Sequence, residues 1–534
     1  MERIELYDTT LRDGAQSEGI SFSVGDKLKI CEKLDELGIH FIEGGWPGAN
    51  PKDASFFKKV KELKLKNSKY VAFGSTCRAD TRANRDRVLK GLLEAETKFV
   101  TIFGKTWDLH VTDVLKVSLE ENLRMIKDSV EFLKSKEKTV FFDAEHFFDG
   151  YKSNKDYAIR ALKAAEDAGA ERIILCDTNG GTMTAQVFEI VEEVKSVIRS
   201  PLGIHAHNDC EMAVANSIAA VQAGCIQVHG TMNGYGERCG NANLVSVIAN
   251  LKLKLGINCI SDLALRELTE AARFVAEICN MKLQDNEPFV GNSAFAHKAG
   301  VHVNAILKNP RTYEHIDPHS VGNRRRLLIS ELSGKSTILK KAEDMDLDIG
   351  KDSRKSKKIL KVLQDLESKG YHFEAAEASL ELLIKRVMKK FKDFFDLEGF
   401  RVIIEKKKGG KMSSEATIKL KVGKVTEHTA ALGDGPVNAL DSALRKALKK
   451  FYPNIASMHL TDYKVRVLDE KAGTAARVRV LVQSQDKDDS WWTMGVSENI
   501  IDASWQALVD SVEYKLLKDS KAESIVTSKK KRAL

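Results

Sequence analysis

Apolar and polar positions along the first half of the chain fall into two alternating patterns. Short runs rich in β-branched and aromatic residues, at 3–8, 39–43, 70–74, 99–103, 139–143, 172–177, 202–207 and 226–231, have the character of buried strands. Between them lie segments with apolar residues at helical spacing, such as 24–37 and 156–168, the latter closed by Gly169. Strand then helix, eight times in roughly 250 residues, predicts an α/β fold of the (β/α)8 TIM-barrel type rather than an open doubly wound sheet. No glycine-rich phosphate loop opens any of these helices, which removes the usual nucleotide sites.

After residue 270 the pattern changes. A helical stretch at 267–281 leads into a histidine-rich segment, and 344–358 is charged and free of aromatics. Strands return at 401–405, 416–422 and 426–431, followed by a helix at 436–451. A second round has strands at 458–467, 474–483 and 491–496 and a helix at 499–517, so two βββα units are predicted. Their helices open on related signatures, Asn438-Ala-Leu-Asp441 and Asn499-Ile-Ile-Asp502, close to glycines Gly433, Gly435 and Gly495. The chain thus divides into a barrel at 1–270, a mostly helical linker region at 271–395, an α+β domain at 396–520 and a basic tail at 521–534.

Composition narrows the class. The chain has 534 residues, too many for one core, and 43% hydrophobic with 30% charged residues is ordinary for a soluble protein. Neither a leader nor an apolar run of roughly 18 residues is visible, so a cytoplasmic protein with no membrane span is expected. Its eight cysteines fall singly, as reduced thiols do. The net charge of +8 is modest, and Lys529-Lys530-Lys531-Arg532 reads as a solvated terminus, so no nucleic-acid partner is expected.

In a barrel of this type chemistry gathers at the C-terminal ends of the strands. The polar residues obey this: Arg12 and Asp13 follow the first strand, Glu43 ends the second, Asp143 and Glu145 end the fifth, and Asp177 and Thr178 end the sixth. His205 and His207 end the seventh, and Glu237, Arg238, Asn241 and Asn243 follow the eighth. Strand period two points both imidazoles to one side, as chelation requires, although the same spacing suits two half-buried histidines bonded to loops. With Asp13 placed across the barrel mouth and Asn241 nearby, the donor set is two imidazoles, a carboxylate and an amide oxygen. Such a set suits Mn2+, Mg2+ or Zn2+ with positions left open for substrate. Arg12 is then free to grip a carboxylate bidentately.

Four motifs carry a resemblance. DTTLRDGAQ at 8–16, GIHAHND at 203–209, GYGERCGNANL at 234–244 and FAHKAGVHVNAI at 295–306, the last followed by RTYEHIDPHSVGNRR at 311–325, are similar to those of the acyl-CoA-condensing synthases. That family includes 2-isopropylmalate, homocitrate and citramalate synthases. The resemblance implies that Asp13, His205, His207 and Asn241 hold a divalent cation. It also implies that Arg12 binds the 2-oxo acid, Thr178 its carboxylate, and Glu145 orients the acetyl-CoA side. His302 and Tyr313 would form the acid/base pair, supplied from the linker of a partner subunit, so the site would be complete only in a homodimer. The chemistry needs such groups: a thioester methyl is a poor acid, so a base must take its proton while donors stabilise the enolate oxygen.

Three segments, IEGGWPGANP at 42–51, IFGKTWDLHV at 102–111 and FFDAEHFFDGYK at 141–152, resemble the branch of that family that takes pyruvate. Trp46, Phe103, Trp107 and Phe147 are expected to fill the space a branched acceptor would need. The last domain resembles the family's regulatory domain, which implies an amino-acid effector, isoleucine, held near Gly433, Gly435, Asn438, Asp441, Gly495, Asn499 and Asp502. Two other readings stand beside this one: a 2-isopropylmalate synthase taking 2-oxoisovalerate, and a non-catalytic metabolite-sensing barrel.

Overall fold

The computed structural model describes residues 4–328, 353–406, 408, 410–468, 476–487 and 489–532. Part of the predicted charged stretch, 344–352, and the first two residues of the predicted strand at 474–483 lie outside them. Two compact units result. One takes the described residues up to Phe295 together with His315–Arg325; the other takes Ala296–Glu314 and the described residues from Arg326 onward.

The first unit is a closed barrel of eight parallel strands in chain order. They are β1 (Glu5–Asp8), β2 (Phe41–Gly45), β3 (Lys69–Ser75), β4 (Phe99–Lys105), β5 (Thr139–Glu145), β6 (Arg172–Asp177), β7 (Leu202–Ala206) and β8 (Gln227–Gly230). Each matches a predicted run to within a few residues, because strands covered on both faces read as continuous apolar runs. Inside the barrel Tyr7, Phe41, Val71 and Phe141 form a small plug, with Tyr7 stacked on His229 at 3.8 Å between ring centroids. The larger core lies between strands and outer helices, where Leu6, Ile30, Leu34 and Ile42 are fully buried.

Two local devices shape the mouth. After β1 the backbone N–H groups of Arg12, Asp13 and Gly14 all donate to the Thr9 carbonyl, at 3.1, 2.8 and 3.1 Å, which coils the loop tightly. In β2 the register shifts between Glu43 and Gly45, and Gly45 takes φ +133°, a conformation open to glycine. That bulge turns the chain so that the Trp46 N–H donates to Asp53 Oδ2 at 2.9 Å. Asp53 in turn pairs with the buried Lys27 ammonium at 2.5 Å.

In the second unit the two-residue strands β9 (Ala296–His297) and β10 (Arg326–Leu327) pair in parallel. Helices Ser353–Glu367 and Glu377–Val387 follow. Then β11 (Asp396–Lys406), β12 (Met412–Val422) and β13 (Val425–Gly433) form one antiparallel sheet. The helix Pro436–Leu448 packs on Ala416, Ile418 and Leu420. The second sheet holds β14 (His459–Val467), β15 (Val478–Gln485) and β16 (Ser490–Ser497), followed by the helix Ile500–Arg532. The βββα unit is therefore repeated. Its last helix runs past the predicted end at 517, since no glycine or proline interrupts residues 518–532.

Candidate active site

The mouth of the barrel brings Arg12, Asp13, Glu145, Thr178, His205 and His207 around one cavity of about 240 Å³. Chain closure explains part of this. β1 pairs with β8 and β8 with β7, so Asp13 stands two strands from the histidines and not across the mouth as the sequence suggested. His205 Nε2 lies 3.3 Å from Asp13 Oδ2 and 3.4 Å from His207 Nε2, and one ligand atom from each of the three side chains falls within 4.8 Å of the others. Such separations are those of neighbouring donors around one cation with bonds of about 2.1 Å.

Asn241 joins this group through the backbone. His207 and Asn241 form an antiparallel bridge, and the Asn241 amide donates to the Tyr235 carbonyl at 3.2 Å. Its Oδ1 is left buried without a hydrogen-bond partner, as is Asp13 Oδ1. Buried polar atoms are rarely left so, and two orphaned oxygens beside two converging imidazoles fit a divalent cation.

Electrostatics separate the two adjacent charges. Burial would raise the Asp13 carboxyl, but Arg12 at 3.2 Å and the His205 hydrogen bond hold it far below the usual range. Burial also pushes His207 down to about 4, with His205 adding to the effect, so its imidazole is neutral near pH 7, the state a metal ligand needs. Burial would lower the Arg12 guanidinium, but Asp13 and Glu43 outweigh it. Arg12 is clamped from one side by Glu43, with Nε donating to Oε1 at 2.6 Å, and lies 3.9 Å over the Phe73 ring.

Thr178 accepts the His146 backbone N–H at 2.8 Å, so its own hydroxyl proton is free to point elsewhere. Glu145 pairs with Lys105, its register partner on β4. Asp143 also lines the cavity; burial first, then Glu43, pushes its carboxyl up to about 7. Lys105 was missed in the sequence, although its place at a strand end is the signal that found Glu145.

The aromatic wall differs in part from expectation. Trp46, Phe73 and Phe103 line the cavity with ring centroids 5.5 to 5.9 Å apart. Phe147 instead is fully buried in the core with Phe148, and Trp107 stacks on His110. His302 and Tyr313 lie in the second unit, both exposed, their rings stacked at 4.1 Å. In the C-terminal sheets Asn438 and Asp441 line a cavity of about 580 Å³ with Arg445 and Tyr463. Gly433 and Gly495 sit where the following helix crosses the strand: a Cβ there would come within 2.3 Å of Ala439 N and 2.0 Å of Ala503 O. Gly435 precedes the first helix, the Asn499 side chain accepts the Ile501 N–H, and Asp502 accepts from Gln506.

Comparison with known proteins places this architecture. Residues 3–275 match the HMGL-like family, 289–370 the homocitrate synthase post-HMGL domain-like family and 374–516 the LeuA allosteric (dimerisation) domain. The chain is 57% identical to an (R)-citramalate synthase of Geobacter sulfurreducens over 99% of this chain and 100% of that one. It is also 57% identical to an (R)-citramalate synthase of Aquifex aeolicus, over 97% and 98% of the two chains. A 2-isopropylmalate synthase of Methanocaldococcus jannaschii is 32% identical over 97% and 96%. The chain belongs to the HMGL-like family and, within it, to the group of the (R)-citramalate synthases.

Proposed function

We propose that this chain is an acyltransferase that condenses acetyl-CoA with pyruvate and hydrolyses the resulting thioester, releasing citramalate and CoA. The observation that carries the reading is one small cavity holding an Asp-His-His cluster, a clamped arginine and a wall of three aromatic rings. Asp13, His205, His207 and Asn241 would hold Mn2+, Mg2+ or Zn2+, which supplies a Lewis acid toward the keto oxygen of the acceptor. Arg12 binds the acceptor's carboxylate and offsets charge that develops during attack, and the free hydroxyl proton of Thr178 adds a second donor. Glu145, fixed by Lys105, orients the thioester. His302 and Tyr313, stacked on each other, serve as the acid/base pair from the second subunit of a homodimer. The match to a LeuA allosteric (dimerisation) domain supports that assembly. No helix among the described residues is long and apolar enough to cross a membrane, and a cytoplasmic enzyme is the reading we adopt.

The wall of Trp46, Phe73 and Phe103 favours a short acceptor in about 240 Å³. Each extra methylene changes discrimination by about 1 to 3 kcal/mol, so the preference is a matter of rate and not of absolute exclusion. Incubating the protein and a divalent cation with acetyl-CoA and a panel of 2-oxo acids, while following CoA thiol release, tests this. Release is expected with pyruvate at least tenfold faster than with 2-oxoisovalerate, a ratio of the size one or two methylenes give. Faster release with 2-oxoisovalerate would make it a 2-isopropylmalate synthase, and none with any oxo acid would return the sensor reading.

The effector is read as isoleucine. Asp441 and Arg445 pair at 2.8 Å on the wall of the C-terminal cavity, beside Val437, Met458 and Leu460, so charge and apolar surface meet as an amino acid with an aliphatic side chain requires. Asp441→Ala is expected to raise the isoleucine concentration for half-inhibition about tenfold, the cost of one charge-assisted contact. An unchanged inhibition curve would remove Asp441 from the effector site.

A further inference from the structure

Each βββα unit carries a cavity against its helix. The first is the one walled by Asp441 and Arg445. The second, about 350 Å³, lies among the linker helices Ser353–Glu367 and Glu377–Val387, β16 and the helix Ile500–Arg532. We propose that this second cavity binds an α-amino acid with an apolar side chain, separately from the site beside Asp441, with Arg386 facing the carboxylate and Asp510 the ammonium group.

Duplication of the unit sets the first condition. Arg445 stands seven residues after Asn438 in one helix signature and Gln506 seven after Asn499 in the other, so the two cavities open on the same turn of related helices. Gln506 carries no charge, and the linker helix supplies it instead: Arg386 Nη1 donates to Asp510 Oδ1 at 2.8 Å, the separation between Arg445 and Asp441. Asp510 is 16% exposed and Asp441 17%, Arg386 33% and Arg445 22%, so both ion pairs remain open to a ligand. A tyrosine and a methionine also line each cavity, Tyr371 and Met494 in one and Tyr463 and Met458 in the other.

The walls decide the class of ligand. Leu366, Phe373, Leu383, Met494 and Trp505 offer apolar surface in a volume suited to a small molecule. A wholly apolar ligand would desolvate the ion pair and give it nothing in return. An anion of two or more charges would meet Asp510 and also Asp393, which holds Arg386 at 2.9 Å, so two carboxylates stand against one guanidinium. A zwitterion meets neither objection: its carboxylate goes to the guanidinium, its ammonium to Asp510 and its side chain to the apolar wall. Such an occupant would also tie the linker to the C-terminal sheet, because Leu383 and Arg386 come from the linker helix and Trp505 and Asp510 from the last one.

Met494 and Met458 place one methionine methyl in each cavity, so NMR of the full-length protein with methyl-labelled methionine reads the two separately. The probes are isoleucine, leucine, valine and phenylalanine, each up to about 10 mM, a weak-binding limit. At least one is expected to move the Met494 signal along a saturation curve, in Asp441→Ala as in the unaltered protein, and its carboxamide to bind at least about tenfold more weakly. Leu383→Trp, which fills the cavity from a half-buried position, is expected to abolish the response, and Asp510→Asn to weaken it about tenfold. A Met494 signal unmoved by all four probes would overturn the proposal, as would a response that vanishes in Asp441→Ala or one that both cavity variants leave unchanged. Equal binding of the carboxamide would remove the zwitterion, and that comparison uses the unaltered protein alone. None of these outcomes needs turnover or an occupant beside Asp441, so the result stands apart from the proposed reaction and from the isoleucine reading.

Discussion

Asp13→Ala is expected to lose divalent-cation binding and turnover together, whereas Arg12→Ala keeps the cation and loses turnover by about 10² to 10³-fold, the effect of removing one preorganised charge-stabilising donor. The two residues are adjacent and in contact at 3.2 Å, so a merely structural ion pair would respond alike to either change. Their surroundings argue otherwise. Asp13 faces His205, and its second oxygen is buried without a partner. Arg12 touches Asp13 through Nη1 alone, is held through Nε by Glu43, lies over the Phe73 ring and lines the cavity. Removing a cationic neighbour from a carboxylate ligand should, if anything, tighten Mn2+ binding, which calorimetry reads directly. Equal loss of Mn2+ in both variants would mean that the pair is a salt-bridged loop and nothing more.

The barrel was legible because its strands are buried on both faces and its helices on one, and these two periods separate cleanly. The two βββα units were legible for a similar reason: β12 alternates, with Ala416, Ile418 and Leu420 buried and Glu415, Lys419 and Lys421 outward. Less legible was anything that depends on closure. Ring closure makes β1 a neighbour of β8, which brought Asp13 beside the histidines; strand order alone does not state that distance. Aromatic side chains were the other limit. Phe147 and Phe103 look alike in sequence, yet Phe147 opens a short helix and turns into the core, whereas Phe103 faces the cavity. Beside the bulge at Glu43–Gly45, Trp46 is held by Asp53, which in turn pairs with Lys27, residues separate in the chain and unremarkable by themselves.

Glu43 is the residue on which the largest stability effect is expected. It has no exposed surface, and both of its oxygens are engaged: Oε1 accepts from Arg12 at 2.6 Å and Oε2 from the Tyr7 hydroxyl at 2.7 Å. Glu43→Ala would leave the guanidinium with Asp13 as its one close anion and return the Tyr7 hydroxyl to Thr101 alone. Breaking one side of a buried pair costs about 3 to 5 kcal/mol, and denaturant unfolding should show a loss of that size. Glu43→Gln separates charge from shape. Its amide oxygen can accept from Arg12 while its NH2 donates to the Tyr7 oxygen, whose proton then turns to Thr101, so stability should fall by only about 1 to 2 kcal/mol. Turnover should nevertheless drop in both variants, because Arg12 is no longer held by an anion in the orientation that faces the cavity. A Glu43→Ala protein within 1 kcal/mol of the original, as stable as a surface substitution would leave it, would show that the clamp is dispensable and that Arg12 is positioned by Asp13 and Phe73 instead.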